Sequence, residues 1–330
     1  MDSNIPKKWL ITGGCGFIGL NLIEELVNNY ECNIRIIDNL NKGDIESLGK
    51  ICNFEIIEKA DHPFQEKVQL YIRDIKNRDV AYTILNDIDC IVHLAANTGV
   101  QPSIDNPLED CNNNIIGTIN YLEAARQNNV SKFIFASSGA SLGEQTPPLH
   151  EEKIPKPIAP YGASKLSVEA YCLAYYGSFG MNTTILRFGN VYGPWSMEKE
   201  SVVAKFIKQV LRNELITIYG NGKQTRDFIY VKDIIGAIIK SSKYKVCGEM
   251  FQLANGEEIS TNELTNIMKD IISENTNKEI KIKYAPARKG EIIKNFTNIS
   301  KARKYLNWSP STNIKKGIDE TLQWFLENQV

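Results

Sequence analysis

A short apolar run, Lys8–Thr12 (KWLIT), opens directly onto Gly13-Gly14-Cys15-Gly16-Phe17-Ile18-Gly19, and an amphipathic stretch over residues 18–28 follows. Glycines at 13, 16 and 19 leave the chain few conformational choices. The first permits a tight turn, the second lets backbone approach a ligand, and the third lets a helix pack against the strand it has just left. A helix starting here points unsatisfied N–H groups and the positive end of its dipole at whatever fills the turn, which suits phosphate. A plain turn would also use glycine, so the motif gains its weight from what surrounds it.

The surroundings are strands alternating with helical segments. Residues 33–37 (NIRII), 89–94 (DCIVHL), 132–136 (KFIFA) and 181–188 (MNTTILRF) are apolar, with weaker strand candidates at 53–57 and 69–72. Residues 115–128 and 161–176 carry helical periodicity, the latter after Pro160. Buried strands separated by helices predict an α/β fold, a Rossmann-type doubly wound parallel sheet covered on both faces. After Gly193 the pattern loosens, a charged stretch spans 273–283, and 299–328 reads as two short helices around Trp308-Ser309-Pro310. A length of 330 residues fits two closely packed units. The boundaries expected are 1–190 for the dinucleotide-binding domain, with 225–242 returning to it. Residues 191–224 and 243–330 make a smaller mixed α/β substrate domain.

Composition excludes several roles. There are 38 basic against 39 acidic residues, a net charge of −1, so the positive excess of a nucleic-acid-binding surface is missing. No apolar run is long enough to span a bilayer, and residues 1–8 carry no hydrophobic leader, so a cytoplasmic protein is expected. The seven cysteines are widely spaced without C-x-x-C and read as small buried hydrophobes. The three histidines are scattered, and no metal is expected.

Asp38 follows the second strand, about 20 residues past the glycines, where an acid can hold ribose hydroxyls. A carboxylate there would repel a 2′-phosphate, which favours NAD over NADP. As a strand-ending turn residue, Asp38 would need no ligand at all. Asp74 and Ile75, after the strand at 69–72, are candidates for contact with the adenine. A second signal is Tyr161-Gly162-Ala163-Ser164-Lys165. On a helix, Tyr161 and Lys165 share one face. A free phenol, with a pKa of about 10, is a poor base at neutral pH, and a neighbouring ammonium would favour its ionised form. Tyr161 could then take a proton from a substrate hydroxyl, with Ser138 hydrogen-bonding the same oxygen. A lone Y-x-x-x-K more often marks an exposed helix face; here it follows a strand ending in Ser137-Ser138 and lies downstream of the glycine turn.

These residues, with HLAA (93–96), NIIGTINYLEAA (114–125), LRFGNVYGP (186–194), TRDFIYVKD (225–233) and ISKARKYLNWSP (299–310), make the chain resemble the extended short-chain dehydrogenases/reductases of the nucleotide-sugar epimerase/dehydratase group, over essentially its whole length. The resemblance implies NAD as cofactor, contacted by Gly13, Gly16, Phe17, Ile18, Asp38, Asn39, Asp74, Ile75, Leu94, Ala95, Ala96, Asn114, Tyr161 and Lys165. It implies Ser138, Tyr161 and Lys165 as the catalytic trio. It assigns Asn190 and Val202 to a nucleotide-sugar pocket, Tyr219 to packing against the base, and Arg226 and Arg288 to the diphosphate, which suits their bidentate forks. It also implies a homodimer through the helices at 115–128 and 161–176, with Tyr171, Leu173 and Tyr175 on the shared face or in the core.

The reaction expected from the resemblance is C4 epimerisation of a UDP-hexose type substrate. Related dehydratases place an acid just after the catalytic serine; here Gly139-Ala140 follow Ser138. The chain departs from relatives at Gly189, where galactose epimerases commonly have Phe, and at Gln101, where uronic-acid epimerases tend to have Arg. Alternatives left open are a net C4 oxidoreductase on a GDP- or UDP-sugar and a decarboxylating relative. A non-enzymatic NAD sensor would tend to lose the Tyr/Lys pair that this chain keeps.

Overall fold

A computed structural model describes residues 5–60, 62–243, 246–287 and 293–328. Its strands are β1 (Lys8–Thr12), β2 (Asn33–Asp38), β3 (Glu55–Ile56), β4 (Val68–Ile72), β5 (Cys90–His93), β6 (Lys132–Ser138), β7 (Thr183–Phe188), β8 (Asn190–Tyr192), β9 (Ile216–Tyr219), β10 (Thr225–Arg226), β11 (Phe228–Tyr230), β12 (Glu249–Leu253), β13 (Ile259–Ser260) and β14 (Ile282–Ala285). The helices are α1 (Phe17–Asn29), α2 (Ile45–Ile51), α3 (Arg78–Ile84), α4 (Val100–Asp105), α5 (Pro107–Cys111), α6 (Gly117–Gln127), α7 (Pro160–Phe179), α8 (Val202–Leu211), α9 (Val231–Ser241), α10 (Thr261–Asn275), α11 (Ser300–Leu306) and α12 (Ile314–Glu327). A π-helical turn, Asn112–Ile116, joins α5 to α6.

Eight strands form one sheet in the order β12-β7-β6-β5-β1-β2-β4-β3. Every pair in it is parallel. Period-two alternation sends Trp9 and Ile11 to one face and Leu10 to the other, and two separate apolar cores result. One core, with Leu22 and Leu26 of α1 and Ile234 and Ile238 of α9, runs on without a break into Phe206, Leu264, Met268 and Phe325. The other holds Ala81, Ile84, Leu122 and Val168 of α3, α6 and α7. Each large aliphatic or aromatic side chain fully buried this way contributes about 1.5–3 kcal/mol, which explains why the two-faced apolar strands read so clearly.

The expected strands at 33–37, 89–94, 132–136 and 181–188 all appear, shifted by a residue or two at their ends. One boundary needs correcting. Glu249–Leu253, expected in the substrate domain, pairs with β7 and completes the edge of the main sheet. Its alternating Phe251 and Leu253 bury against the sheet core. The remaining strands form three small pairs, β8 with β11, β9 with β14, and β10 with β13, outside that sheet.

The strand order reverses direction at β1, which has β2 on one side and β5 on the other. In open parallel sheets, a crevice forms beyond the carboxyl ends of the strands at such a switch point.

Candidate active site

A cleft of about 1120 Å³ lies at this switch point, and the glycine turn forms one wall. Gly13 adopts φ +69°, and a Cβ there would lie 2.8 Å from the backbone nitrogen of Ala95. A Cβ on Gly19 would lie 2.5 Å from the carbonyl oxygen of Gly14, so α1 can approach β1 only with glycine there. Gly16 caps α1 with no side-chain hydrogen bond, and the first turn carries no acid. The open N–H groups of that turn therefore face the cleft, as a pyrophosphate requires. These features fit a dinucleotide.

Gly13, Gly16, Phe17, Ile18, Asp38, Asn39, Ile75, Leu94, Ala95 and Ala96 all line this cleft. Asp38 also does what was expected of a strand-ending turn residue. Its Oδ2 accepts from the Cys15 N–H (2.9 Å) and its Oδ1 from the Leu40 N–H (2.8 Å), tying the glycine turn to the end of β2. Burial raises its pKa, against the pull of these backbone donors.

Two expected cofactor contacts do not reach the wall. Asp74 accepts from Asn39 Nδ2 (3.2 Å) and pairs with Lys76 (3.6 Å) beside the cleft. Asn114 is buried; its amide donates to Asn97 O (2.9 Å), Asp110 Oδ1 (2.8 Å) and Ser164 Oγ (3.3 Å), and its Oδ1 accepts from Asn97 N (2.8 Å). Asn114 thus shapes the 97–99 segment that does line the cleft.

The opposite wall is built by β6 and α7. Pro160 occupies the first helical position and Gly180, at φ +65°, ends the helix, so its 20 residues are punctuated by sequence. Tyr161 and Lys165 enter the cleft from its first turns, and Ser138 from the end of β6. The Lys165 ammonium donates to Ala136 O (2.8 Å) and lies 6.0 Å from the centre of the Tyr161 ring. Burial pushes the Tyr161 phenol up to about 12, while a hydrogen bond with Ser138 pulls it down and Asp110 pushes it up. Burial holds Lys165 down to about 8, against the favourable charges of Asp110 and Glu169. His93, beneath the cleft floor, is locked between Thr12 Oγ1 (3.1 Å) and Thr118 Oγ1 (3.0 Å), and burial pushes it down to about 3.

Asn190, Val202, Tyr219 and Arg226 line the far end of the same cleft. The Asn190 amide donates to Asp227 O (3.3 Å), and Arg226 Nη1 donates to Thr225 O (2.7 Å). Arg288 lies outside the described residues. Of the departures, Gly189 lines the cleft, and a Cβ on it would lie 3.1 Å from Ala254 Cβ. Gln101 is exposed and turned to Asp105 (2.8 Å).

Sequence reasoning missed Lys199 and Asp110, which both line the cleft. The Lys199 ammonium lies 5.7 Å from the centre of the Phe17 ring, and burial lowers its pKa. Nothing in the polar run Met197-Glu198-Lys199-Glu200 marks it out from a solvated loop. Asp110 had one usable signal, its place four residues before Asn114 on a helical face.

Three kinds of comparison agree with this architecture. The family model for GDP-mannose 4,6-dehydratase matches residues 10–321. A putative UDP-glucose 4-epimerase of Methanocaldococcus jannaschii is 34% identical, over 97% of this chain and 98% of its own. A UDP-glucuronate 4-epimerase of Thermodesulfobacterium geofontis is 33% identical, over 97% and 96%. Among solved structures, Thermotoga maritima UDP-glucose 4-epimerase with UDP-glucose superposes with a TM-score of 0.86 at 32% identity, covering 98% of this chain and 100% of that one. Bacillus cereus UDP-glucuronic acid 4-epimerase, in complex with UDP-glucuronic acid and NAD, gives 0.84 at 30% identity, covering 97% and 99%. With a parallel sheet, a glycine turn and a Tyr/Lys helix at one cleft, and a match along nearly its whole length, the chain belongs to the GDP-mannose 4,6-dehydratase family of extended short-chain dehydrogenases/reductases.

Proposed function

We propose that the protein is an NAD-dependent enzyme that interconverts C4 epimers of a nucleotide-activated hexose, in the manner of a UDP-sugar 4-epimerase. One observation carries the reading: Ser138, Tyr161 and Lys165 face the same cleft as the glycine turn and Asp38. The relatives named as UDP-sugar 4-epimerases and the NAD held by one solved structure support it.

NAD, when bound, accepts and returns hydride. The chain's own residues do the rest. Tyr161 takes the proton from the C4 hydroxyl and gives it back to the C4 oxygen after the 4-keto sugar has turned its other face. Ser138 hydrogen-bonds that oxygen, and Lys165 is the nearby cation that favours the phenolate. Gly139–Ser141 forms a short 3₁₀ turn behind Ser138 without an acid, which argues against loss of water from the sugar. Arg226 is assigned to the diphosphate, Tyr219 to the base, and Asn190 and Val202 to the walls between them. Arg288 is assigned to the diphosphate by its motif alone.

A panel of UDP-, GDP-, dTDP- and CDP-sugars, followed by NMR together with the redox state of bound nicotinamide, tests the reading. Inversion at C4 with the nicotinamide returning to its oxidised form is expected. A released 4-keto sugar with accumulating NADH would assign the net oxidoreductase instead. Absence of any turnover in protein that holds NAD would overturn both.

The partner proposed besides the substrate is a second copy of the chain, through α6 and α7, the helices expected, together with the outer surfaces of α4 and α5, which pack against α7. Val100, Ile104, Leu108, Tyr171, Leu173, Tyr176 and Phe179 are exposed there. Tyr175, expected on the shared face or in the core, donates to Glu123 Oε2 (3.1 Å) and packs on Phe179. No described helix is long and apolar enough to cross a membrane.

A further inference from the structure

The stripe of α7 that carries Tyr161 and Lys165 continues to Glu169, since positions four apart lie one above another on a helix. Glu169 is 1% exposed. Its Oε1 accepts from Ser137 Oγ (2.5 Å) and Arg187 Nε (2.8 Å), and its Oε2 accepts from Arg187 Nη2 (2.6 Å). Ser137 and Arg187 are register partners on β6 and β7. A single carboxylate therefore pins α7 to the ends of the two strands that lead to Ser138 and to Gly189-Asn190. The adjacent serines divide the work. Both line the cleft, but the Ser137 hydroxyl is committed to Glu169, whereas the Ser138 hydroxyl accepts from Ala140 N (3.2 Å) and hydrogen-bonds Tyr161.

Burying an ion pair is a poor way to gain stability, because apolar side chains of the same volume do as well or better. Arg187 Nη1 even lacks a hydrogen-bond partner among the described residues. What a bidentate, fully buried pair does supply is fixed distance and orientation. At this seam those quantities set the geometry of proton transfer.

We propose that Glu169, locked by Arg187 and Ser137, is a positioning residue of the proton-transfer site, fixing Tyr161 and Lys165 relative to Ser138. The proposal rests on the epimerase reading above. The charged and titratable groups acting on Lys165 are Asp110 from α5, Glu169 and Cys172 from α7, and Lys199 from the segment before α8; Tyr161, His93, the Phe135 ring and Ala136 O also surround it. Both carboxylates favour its ammonium, and burial and Lys199 oppose it. Loss of the Glu169 charge lowers the pKa of Lys165 further, so the alkaline limb of the activity profile moves to lower pH.

The test compares Glu169→Gln, Glu169→Gln/Arg187→Gln and Ser137→Ala in the full-length, NAD-loaded protein. Measurements are kcat and KM across pH, thermal midpoint, and the ultraviolet absorbance of ionised tyrosine, taken as a difference from Tyr161→Phe. Glu169→Gln is expected to lower kcat about ten- to a hundredfold, the scale of a misplacement of up to about 1 Å, with KM little changed and the alkaline limb shifted down. The double variant removes both buried charges, so it should regain thermal stability without regaining kcat or the limb. Wild-type kcat and pH profile in Glu169→Gln, or their return in the double variant, would overturn the proposal. If the glutamine variants do not fold, Ser137→Ala decides, with several-fold lower kcat expected and unchanged kcat overturning it. A wild-type protein inactive on every sugar would sink the epimerase reading alone: the tyrosinate signal, expected at higher pH in Glu169→Gln because the Lys165 ammonium that favours the phenolate is weakened, still tests Glu169, and an unchanged titration would overturn the proposal.

Discussion

At the start of α7, a phenol pushed up to about 12 and an ammonium held down to about 8 stand one helical turn apart. Both shifts come first from burial, and both favour neutral groups. The cleft thus keeps Tyr161 protonated through the neutral range, and ionisation must come with the assembly of the full site. Tyr161→Phe removes the proton carrier and keeps the ring, so it should retain dinucleotide affinity while turnover falls about 10²- to 10⁴-fold. Fluorescence titration with NAD and a steady-state assay check the two halves, and near-normal turnover would refute the role assigned. The glycines, Asp38, Tyr161 and Lys165 were readable because each obeys a local rule of spacing. Asp38 shows the limit of such rules. Its position at the end of β2, beside the cleft, follows from spacing, but spacing could not say that its oxygens hold the backbone of Cys15 and Leu40. Asn114, expected at the cofactor, is occupied by Asn97, Asp110 and Ser164, which are brought to it by folding and share no motif with it.

Strands of the main sheet were legible as elements because two-sided burial makes them continuously apolar, and α1 and α7 because glycine and proline punctuate them. α10 was not singled out, although Ser260 and Glu263 form a reciprocal capping box at its start and Leu264, Met268 and Ile271 follow at helical spacing. Its polar composition hid the stripe. The short helices α4 and α5 were also missed. They are capped by Gly99 and Asn106, and they pack against α7 while leaving Val100, Ile104 and Leu108 exposed. A surface of that kind, on helices packed side by side, is expected to be covered by its own copy. Light scattering after size exclusion should give a dimer at micromolar concentration. Leu108→Glu with Phe179→Glu should shift it to monomer without lowering the thermal midpoint of the monomeric form. A monomeric wild-type protein would remove the idea.

Across the whole molecule, Asp227 holds separate parts of the chain together. Its carboxylate accepts from the N–H groups of Asn255 (2.7 Å), Gly256 (3.1 Å) and Thr297 (3.1 Å), linking the β10–β11 junction to the segments after β12 and before α11. Burial raises its pKa from 3.8 to about 7, against those three donors. Between these values the folded chain holds a proton that the unfolded chain has lost. This group's contribution is therefore full below the unfolded value and declines as pH rises toward about 7. An upper bound on the decline is about 4 kcal/mol. Asp227→Asn should flatten the dependence of the thermal midpoint on pH between the two values, and parallel slopes for both proteins would contradict the assignment.

The main sheet contains no hairpin: each of its eight strands lies parallel to its neighbours, and the last to join, β12, pairs with β7. Every pairing must therefore wait for a crossover, and topologies rich in such distant contacts fold slowly. During synthesis, a chain that has not yet emerged past Leu253 presents β7 as a bare, apolar margin, an invitation to pair with the wrong molecule. The strand that the loosened C-terminal half lends back to the sheet is thus also what seals it against aggregation.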